Sequence, residues 1–354
     1  MVGIEVGVNT AGAQPLGMPF FEAAAAAFAR AEQPAGLRER FLDAAGRTIA
    51  LRFAGPRIES VLWPAFAHLA CDRTATIDLT IDCWDDASAR VVTPEPPGAA
   101  DRAGLDFVDG PVRLAWDASR RALAAFDPER RLGLLRFPDV ADIEVWERSA
   151  PARRILHWWA AAQGMQLVHA AAVGTPNGGV LLVGRGGSGK STTALACVDS
   201  GLLYAGDDYA LVSLEAAPRV HSLYGTGKAD ADSIGRLPRL RDAFAASALR
   251  IGGKTMIEVA QAFPAAMIAS FPLRAIVVPR VLEGTPRVAR LSPATALRAL
   301  APSTMMQLPG DREGTLSRLA KLVREVPCFE LAVGPDPAAA VPLLARLSGG
   351  EFPL

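Results

Sequence analysis

Residues 181–196 read LLVGRGGSGKSTTALA. An apolar run, a glycine-rich turn and a stretch of helical composition follow one another without a gap. Little else than a strand, a tight loop and a helix satisfies that order, so the chain is held to a layered α/β arrangement from here on. Gly184, Gly189, Lys190 and Ser191 fit G-x-x-x-x-G-K-[ST]. Glycines let successive backbone N–H groups turn inward and form a nest for an anion. The helix behind the nest aims its partially positive N-terminus at the same point. In such a loop Gly184, Gly186, Gly187, Ser188, Gly189, Lys190, Ser191 and Thr192 bind the nucleotide, here ATP. The Lys190 ammonium reaches its outer phosphates and the Ser191 hydroxyl ligates Mg²⁺. The competing reading, a coincidental glycine-rich turn, does not explain why GVLLVG precedes the motif as a strand and TTALACV follows it as a helix.

Two further features stand close to the loop. LLYAGDDYALV places Asp207 and Asp208 directly after the next apolar run. If strand 202–206 lies beside strand 179–184, both strand ends open onto one site, as ligand sites in open α/β sheets do. Two adjacent carboxylates there divide the work: one helps hold Mg²⁺ and the other takes a proton from an attacking hydroxyl. The bland alternative is a turn or a helix cap, a common use of Asp. Upstream, MQLVHAAAVGTPNGGVLLVG reads as a hairpin that ends in the loop. Antiparallel pairing lays His169 alongside the feeding strand, where it orients or tunes the Asp pair; a buried structural histidine is the competing reading.

Composition excludes several classes. Lys+Arg and Asp+Glu both number 37, so the formal charge is zero. Such a chain has no electrostatic basis for bulk binding to nucleic acid or to an anionic membrane. Cys71, Cys83, Cys197 and Cys328 form no CxxC pair and do not cluster with the four histidines, which argues for reduced thiols rather than a zinc site. The start carries no basic n-region and Glu22 interrupts its apolar part, against a signal peptide. No uncharged apolar run reaches membrane-spanning length. The expectation is a cytoplasmic protein, with a homo-oligomeric state left open.

Along the chain, residues 20–46 read as one Ala-rich helix. RTIALRFAG (47–55), TATIDLTIDCW (74–84), VRLAWD (112–117), RRALAAFD (120–127) and RLGLLRF (131–137) are short alternating runs, interrupted by the Pro/Gly-rich segment 92–104. This predicts an N-terminal α+β, β-rich domain over 1–150. PARRILHWWAAAQG predicts a helix over 151–164, and from there strand and helix patterns mix: 165–173, 179–184, 202–206, 271–281 and 328–333 as strands, 292–300, 312–325 and 337–347 as helices. The junction is placed near residue 150, with 151–354 as the catalytic domain.

The order LVHAAAV, GRGGSGKST, AGDD resembles the catalytic domain of the HPr kinase/phosphorylase family. It is similar in particular to the HPr-kinase-related proteins found beside peptide-tailoring genes, including lasso-peptide clusters. YGTGKAD (224–230), FPLRAIVV (271–278) and CFELAVG (328–334) resemble ordered segments of the same family. The resemblance implies a P-loop core related to that of ATP-dependent phosphoenolpyruvate carboxykinase, and phosphoryl transfer to a serine hydroxyl. It implies Lys190 and Ser191 as phosphate and Mg²⁺ residues, Asp207 as the acid that deprotonates the acceptor, Asp208 as its metal-linked neighbour and His169 as the family histidine. Where the family carries an Arg in an I-R-G-L-G-like run, this chain reads SLYGTGKAD, with Tyr224 before Gly225. Lys228 and Lys254 are the nearby candidates for a phosphate-facing cation, against the plain reading of solvated lysines. Residues 1–150 do not match the family's N-domain, which points to recruitment of a different substrate.

The sequence thus supports a Mg²⁺- and ATP-dependent kinase acting on a Ser or Thr of a protein or peptide. Two alternatives share the loop: a nucleotide-gated regulatory module with slow hydrolysis, and a carboxykinase acting on a small acid, for which no His/Lys cluster for a second metal is present.

Overall fold

The computed structural model describes residues 17–96, 104–198, 200–215 and 217–352. Most of the segment around the chain start and residues 97–103 of the Pro/Gly-rich stretch lie outside them. The chain is a mixed α/β protein that divides into two compact units. None of the described helices is long and apolar enough to cross a membrane.

The first unit is built on a seven-stranded sheet in the order 37–44, 47–54, 79–85, 132–137, 122–127, 112–117, 104–109. Helix Gly17–Ala35 buries Phe20, Phe21, Ala24, Ala27, Phe28 and Ala31, a stripe at three- and four-residue spacing. That stripe packs in one core with Trp84, Leu114 and Trp116 of the sheet. The single helix expected over 20–46 is therefore corrected: it stops at Ala35, where Gly36 takes φ +79°. Leu37–Ala44 is instead a strand paired antiparallel with Arg47–Ala54. Its hairpin turns on Ala45 and Gly46, both at positive φ, the backbone that matches the strand twist in a two-residue turn. Strand pairing of the alternating run overrides the helical propensity of its residues.

Helix Arg153–Ala162 belongs to this first unit, and its Ile155 covers Gly133, where an added Cβ would meet Ile155 Cγ2 at 2.6 Å. Conversely, Pro64–Leu69 and Val145–Pro151 belong to the second unit. A single cut near residue 150 does not describe this chain; it passes between units several times.

The second unit holds a nine-stranded sheet. Its central strand, Ser270–Arg280, pairs in parallel with Gly178–Leu182 and with Cys328–Ala332. Ala171–Thr175 and Gly178–Leu182 form the expected hairpin, with Leu182 opposite Ala171. Leu203–Gly206 pairs with Ala171–Thr175, not with the strand that feeds the glycine-rich loop. The sequence expectation of direct neighbours is corrected by one strand. The consequence for the site survives: two antiparallel steps restore the direction, so Gly178–Leu182 and Leu203–Gly206 end at the same edge of the sheet.

Alternation along the feeding strand explains the layers. Val180 and Leu182 join a core with helix Lys190–Cys197, while Leu181 and Val183 join the core of helices Pro293–Gln307 and Arg312–Glu325. The run 165–173 is not one strand. Met165–Val168 pairs with Ala210–Ser213, and Ala171–Thr175 turns to other partners, which leaves His169 at the break.

A three-stranded sheet completes the unit, with Thr226–Asp230 paired to Lys254–Glu258. The approach to this strand is held by the two segments that come from the N-terminal half of the chain. Gly225 N donates to Ala65 O at 2.8 Å, Tyr224 Oη to Pro151 O at 2.9 Å and Thr226 Oγ1 to Ser149 O at 2.8 Å. A fragment 152–354, one residue shorter than the domain expected from the sequence, loses all three. At about 1 kcal/mol each, and about 2–4 °C per kcal/mol for a unit of this size, it is expected to melt roughly 6–12 °C below the corresponding transition of the full chain. Circular dichroism melts check this, and equal midpoints would show that the two segments contribute nothing.

Candidate functional site

The glycine-rich loop leaves its strand at Gly184 and enters its helix at Lys190. Gly184, Gly187 and Gly189 have φ +144°, +79° and +98°, values a side chain would strain. Space is also short: a Cβ on Gly184 would meet Ser188 Oγ at 2.9 Å, and one on Gly189 would meet Val281 Cγ2 at 3.2 Å. No side chain caps the first turn of helix Lys190–Cys197, so its leading N–H groups are left to a ligand. Lys190 is buried and folds back over the loop, donating from Nζ to Gly184 O at 2.7 Å and Arg185 O at 3.2 Å. Burial lowers its pKa; Asp207 and Asp208 oppose that.

Beside the loop lies a cavity of about 360 Å³. Residues 186–192 of the loop and helix start line it, together with His169 and Asp208. Val281 and Val333, just past two parallel strands, close it on the sheet side. The sequence-predicted residues are thus brought together with two distinctions. Gly184 faces an adjoining cavity, and Asp207 stands behind the wall, 2% exposed.

The two carboxylates differ sharply. Burial, then the Asp208 charge, push Asp207 up to about 6, against the pull of the Ser191 hydroxyl and of Lys228. The Lys228 backbone N–H donates to Asp207 Oδ2 at 3.1 Å. For Asp208 burial also raises the pKa, but the ion pair with Lys228 Nζ outweighs it and holds the carboxyl below its usual value. One residue, Lys228, therefore touches both acids, through its backbone and through its ammonium. Asp230 and Lys254, opposite each other in the small sheet, also line the cavity. Of the two candidate cations in the sequence, Lys254 lines the cavity and Lys228 pairs with Asp208.

His169 is buried and its pKa falls to about 4, first through burial and then through Lys190. It is neutral near pH 7. Its tautomer is assigned by the surrounding network. Tyr209 Oη donates to Gln307 Oε1 at 2.6 Å, so Gln307 presents its amide N–H₂ to His169 Nε2 at 3.3 Å. The ring proton then sits on Nδ1, which has no hydrogen-bond partner among the described residues. Ser188 Oγ, Thr193 Oγ1 and Asp207 Oδ1 are buried without partners as well. Buried polar atoms without partners are uncommon; these four stand around the loop, and others lie in the first unit, among them Asp85 Oδ2 and Trp159 Nε1.

Sequence reasoning missed Gln307, Thr304 and Tyr209. Thr304 Oγ1 accepts from His169 N at 3.1 Å across 135 residues. No local pattern in MMQLPG advertises that contact. Arg236 and Ser233, also on the cavity wall, were missed for the same reason.

No family model matches the chain, and no curated protein matches it. Among solved structures it is similar to the HPr(Ser) kinase/phosphatase from Coxiella burnetii, at 14% identity over 48% of this chain and 85% of that chain, with a TM-score of 0.26.

The anion-binding capacity of the loop is open to direct measurement. Tripolyphosphate is expected to raise the melting temperature of the wild-type protein and to leave Lys190→Met unshifted. A ligand of the folded state present at a hundred times its Kd stabilises by about 2.7 kcal/mol. Equal shifts of the two proteins in scanning fluorimetry would remove Lys190 from an anion site.

Proposed function

We propose that the protein is a Mg²⁺- and ATP-dependent kinase that transfers the γ-phosphoryl group to a serine or threonine hydroxyl of a protein or peptide. The observation that carries this reading is the Asp207–Asp208 pair, split by Lys228 into two unlike carboxylates at the wall of the loop cavity. A nucleotide switch needs one metal-linked acid; a second acid, open to the cavity and backed by a lysine, serves an acceptor.

The residues fit Mg²⁺–ATP. Loop N–H groups and Lys190 suit the phosphates. The Ser191 hydroxyl and Asp207, whose Oδ1 is unpartnered, suit the metal. Among the described residues no cluster of three His, Cys, Asp or Glu side chains is available to hold a metal alone, so nucleotide oxygens and water would complete its shell. When bound, Mg²⁺ offsets charge on the phosphates.

This reading exchanges the roles that the family resemblance implied for the two acids. A general base must first come within reach of the proton it takes. Asp208 lines the cavity with its side chain 26% exposed, whereas Asp207 lies beneath, beside Ser191. Asp208 accepts the acceptor's hydroxyl proton as the oxygen–phosphorus bond forms and the bond to the ADP oxygen breaks. Lys228 keeps Asp208 ionised for that purpose. Neutral His169, with its proton on Nδ1, donates a hydrogen bond into the site without adding charge.

Single-turnover transfer from labelled ATP separates the two acids. Asp208→Asn is expected to slow transfer about 10²–10⁴-fold with nucleotide affinity retained. Asp207→Asn is expected to weaken Mg²⁺–ATP binding, with a defect that lessens as Mg²⁺ is raised. Near-normal transfer by Asp208→Asn would return the base role to Asp207. Label appearing only as free phosphate, with every acceptor offered, would favour the regulatory module.

The pH dependence follows from the same groups. Asp207 must be ionised to hold Mg²⁺, and its pKa is pushed up to about 6. Activity is therefore lost as pH falls through about 6, and raising Mg²⁺ moves that limb to lower pH. His169, already neutral above about 4, does not set it. The limb is expected to stay in place in His169→Gln, measured as kcat/KM against pH, and a shift there would assign it to the histidine.

A further inference from the structure

A second cavity, of about 670 Å³, adjoins the first on the other side of the glycine-rich loop. Gly187 and Ser188 line both. Its walls come from the loop, from the end of the central strand and from helix Pro293–Gln307. Three arginines, Arg185, Arg280 and Arg298, are among its lining residues, and no Asp or Glu is. Arg280 is paired with Glu330 at 2.9 Å. Arg298 donates only to the Thr295 hydroxyl, at 3.1 Å, and neither it nor Arg185 has a carboxylate partner among the described residues. Val281 and Leu282, 53% and 41% exposed, line the cavity as well. Exposed aliphatic side chains beside two arginines, Arg185 and Arg298, that no carboxylate neutralises fit a segment that is both acidic and apolar.

The helix connects this cavity to the chemistry. Ala299, Ser303 and Gln307 succeed one another at four-residue spacing and so form one row along its surface. Ala299 and Ser303 line the second cavity; Gln307 lines the first and holds His169. Eight helical residues advance about 12 Å, a span covered by roughly four residues of extended chain. We infer that the second cavity is the docking site for the acceptor, and that it takes an acidic, apolar peptide segment whose carboxylates lie about three to five residues from the phosphorylated hydroxyl. This rests on the kinase reading above and adds to it the chemical class of the substrate.

The test uses the full chain and two probes. The first is a set of synthetic peptides with one central Ser, in which Asp, Ala or Lys is placed in turn at each flanking position, offered with labelled Mg²⁺–ATP. Asp three to five residues from the Ser is expected to raise incorporation about tenfold over Lys at the same position. Arg298→Glu is expected to abolish that preference with the affinity for a fluorescent ATP analogue unchanged, and Arg298→Lys to retain most of it. The second probe needs no transfer: a fluorescein-labelled peptide of alternating Asp and Leu, without Ser or Thr, is titrated beside its Asn–Leu counterpart, and anisotropy is expected to favour the acidic peptide about tenfold in the wild type but not in Arg298→Glu. Equal binding of the two peptides overturns the inference. So does a loss of ATP affinity in Arg298→Glu, which would give the cavity to the nucleotide itself. Selective binding of the acidic peptide with no label transferred to any Ser peptide supports the docking site and sinks the kinase reading instead.

Discussion

Two adjacent carboxylates below a protein surface repel one another and resist leaving water, so one of them protonates unless a cation is built against the pair. Lys228 is that cation. Its ammonium pairs with Asp208 while its backbone N–H holds Asp207 Oδ2 at 3.1 Å. Because the two contacts come from one residue, they move together. Everything that positions Lys228 therefore positions both acids: the pairing of Thr226–Asp230 with Lys254–Glu258, and the hydrogen bonds that tie Tyr224, Gly225 and Thr226 to Pro151, Ala65 and Ser149.

The sheet supplies the other half of the constraint. The strands ending at residues 182, 206, 280 and 332 all finish at one edge. At such an edge a loop of backbone donors, the Asp208 carboxylate and the closing apolar residues Val281 and Val333 can face one volume without long connections. The cost of the arrangement is visible in the polar atoms left unpartnered around the loop, among them Asp207 Oδ1 and His169 Nδ1.

The N-terminal half of the chain contributes to the second unit in a way that its composition conceals. Pro64–Leu69 and Val145–Pro151 are short, carry no motif, and lie within a stretch that otherwise reads as another domain. Phe66 nevertheless packs on Tyr224 with ring centroids 5.3 Å apart, and His68 Nε2 lies 2.7 Å from Ser222 Oγ. Tyr224, which precedes Gly225 in SLYGTGKAD, is thus where these segments attach. The tyrosine there serves the packing of the site, while the cation stands four residues on, at Lys228.

The sequence by itself determined what is local. Eight consecutive or near-consecutive residues, Gly184 and Gly186–Thr192, specify a tight glycine-rich loop between strand and helix, because backbone conformation depends on neighbours in the chain. The TPNGG turn likewise announced the hairpin that feeds it. Only the tertiary structure decided the rest. It interposed Ala171–Thr175 between the two strands expected to be neighbours. It ended a helix at Gly36 that propensity carried on to residue 46. It brought Gln307 and Thr304 to His169, and Lys228 to the acids. It set Asp208 on the cavity wall with Asp207 behind it, a difference of burial between adjacent identical residues. Such facts depend on strand order and on hydrogen bonds between residues from 21 to 138 apart in the chain. They leave no periodicity in the chain, because a single long-range hydrogen bond or ion pair constrains only the two positions that make it.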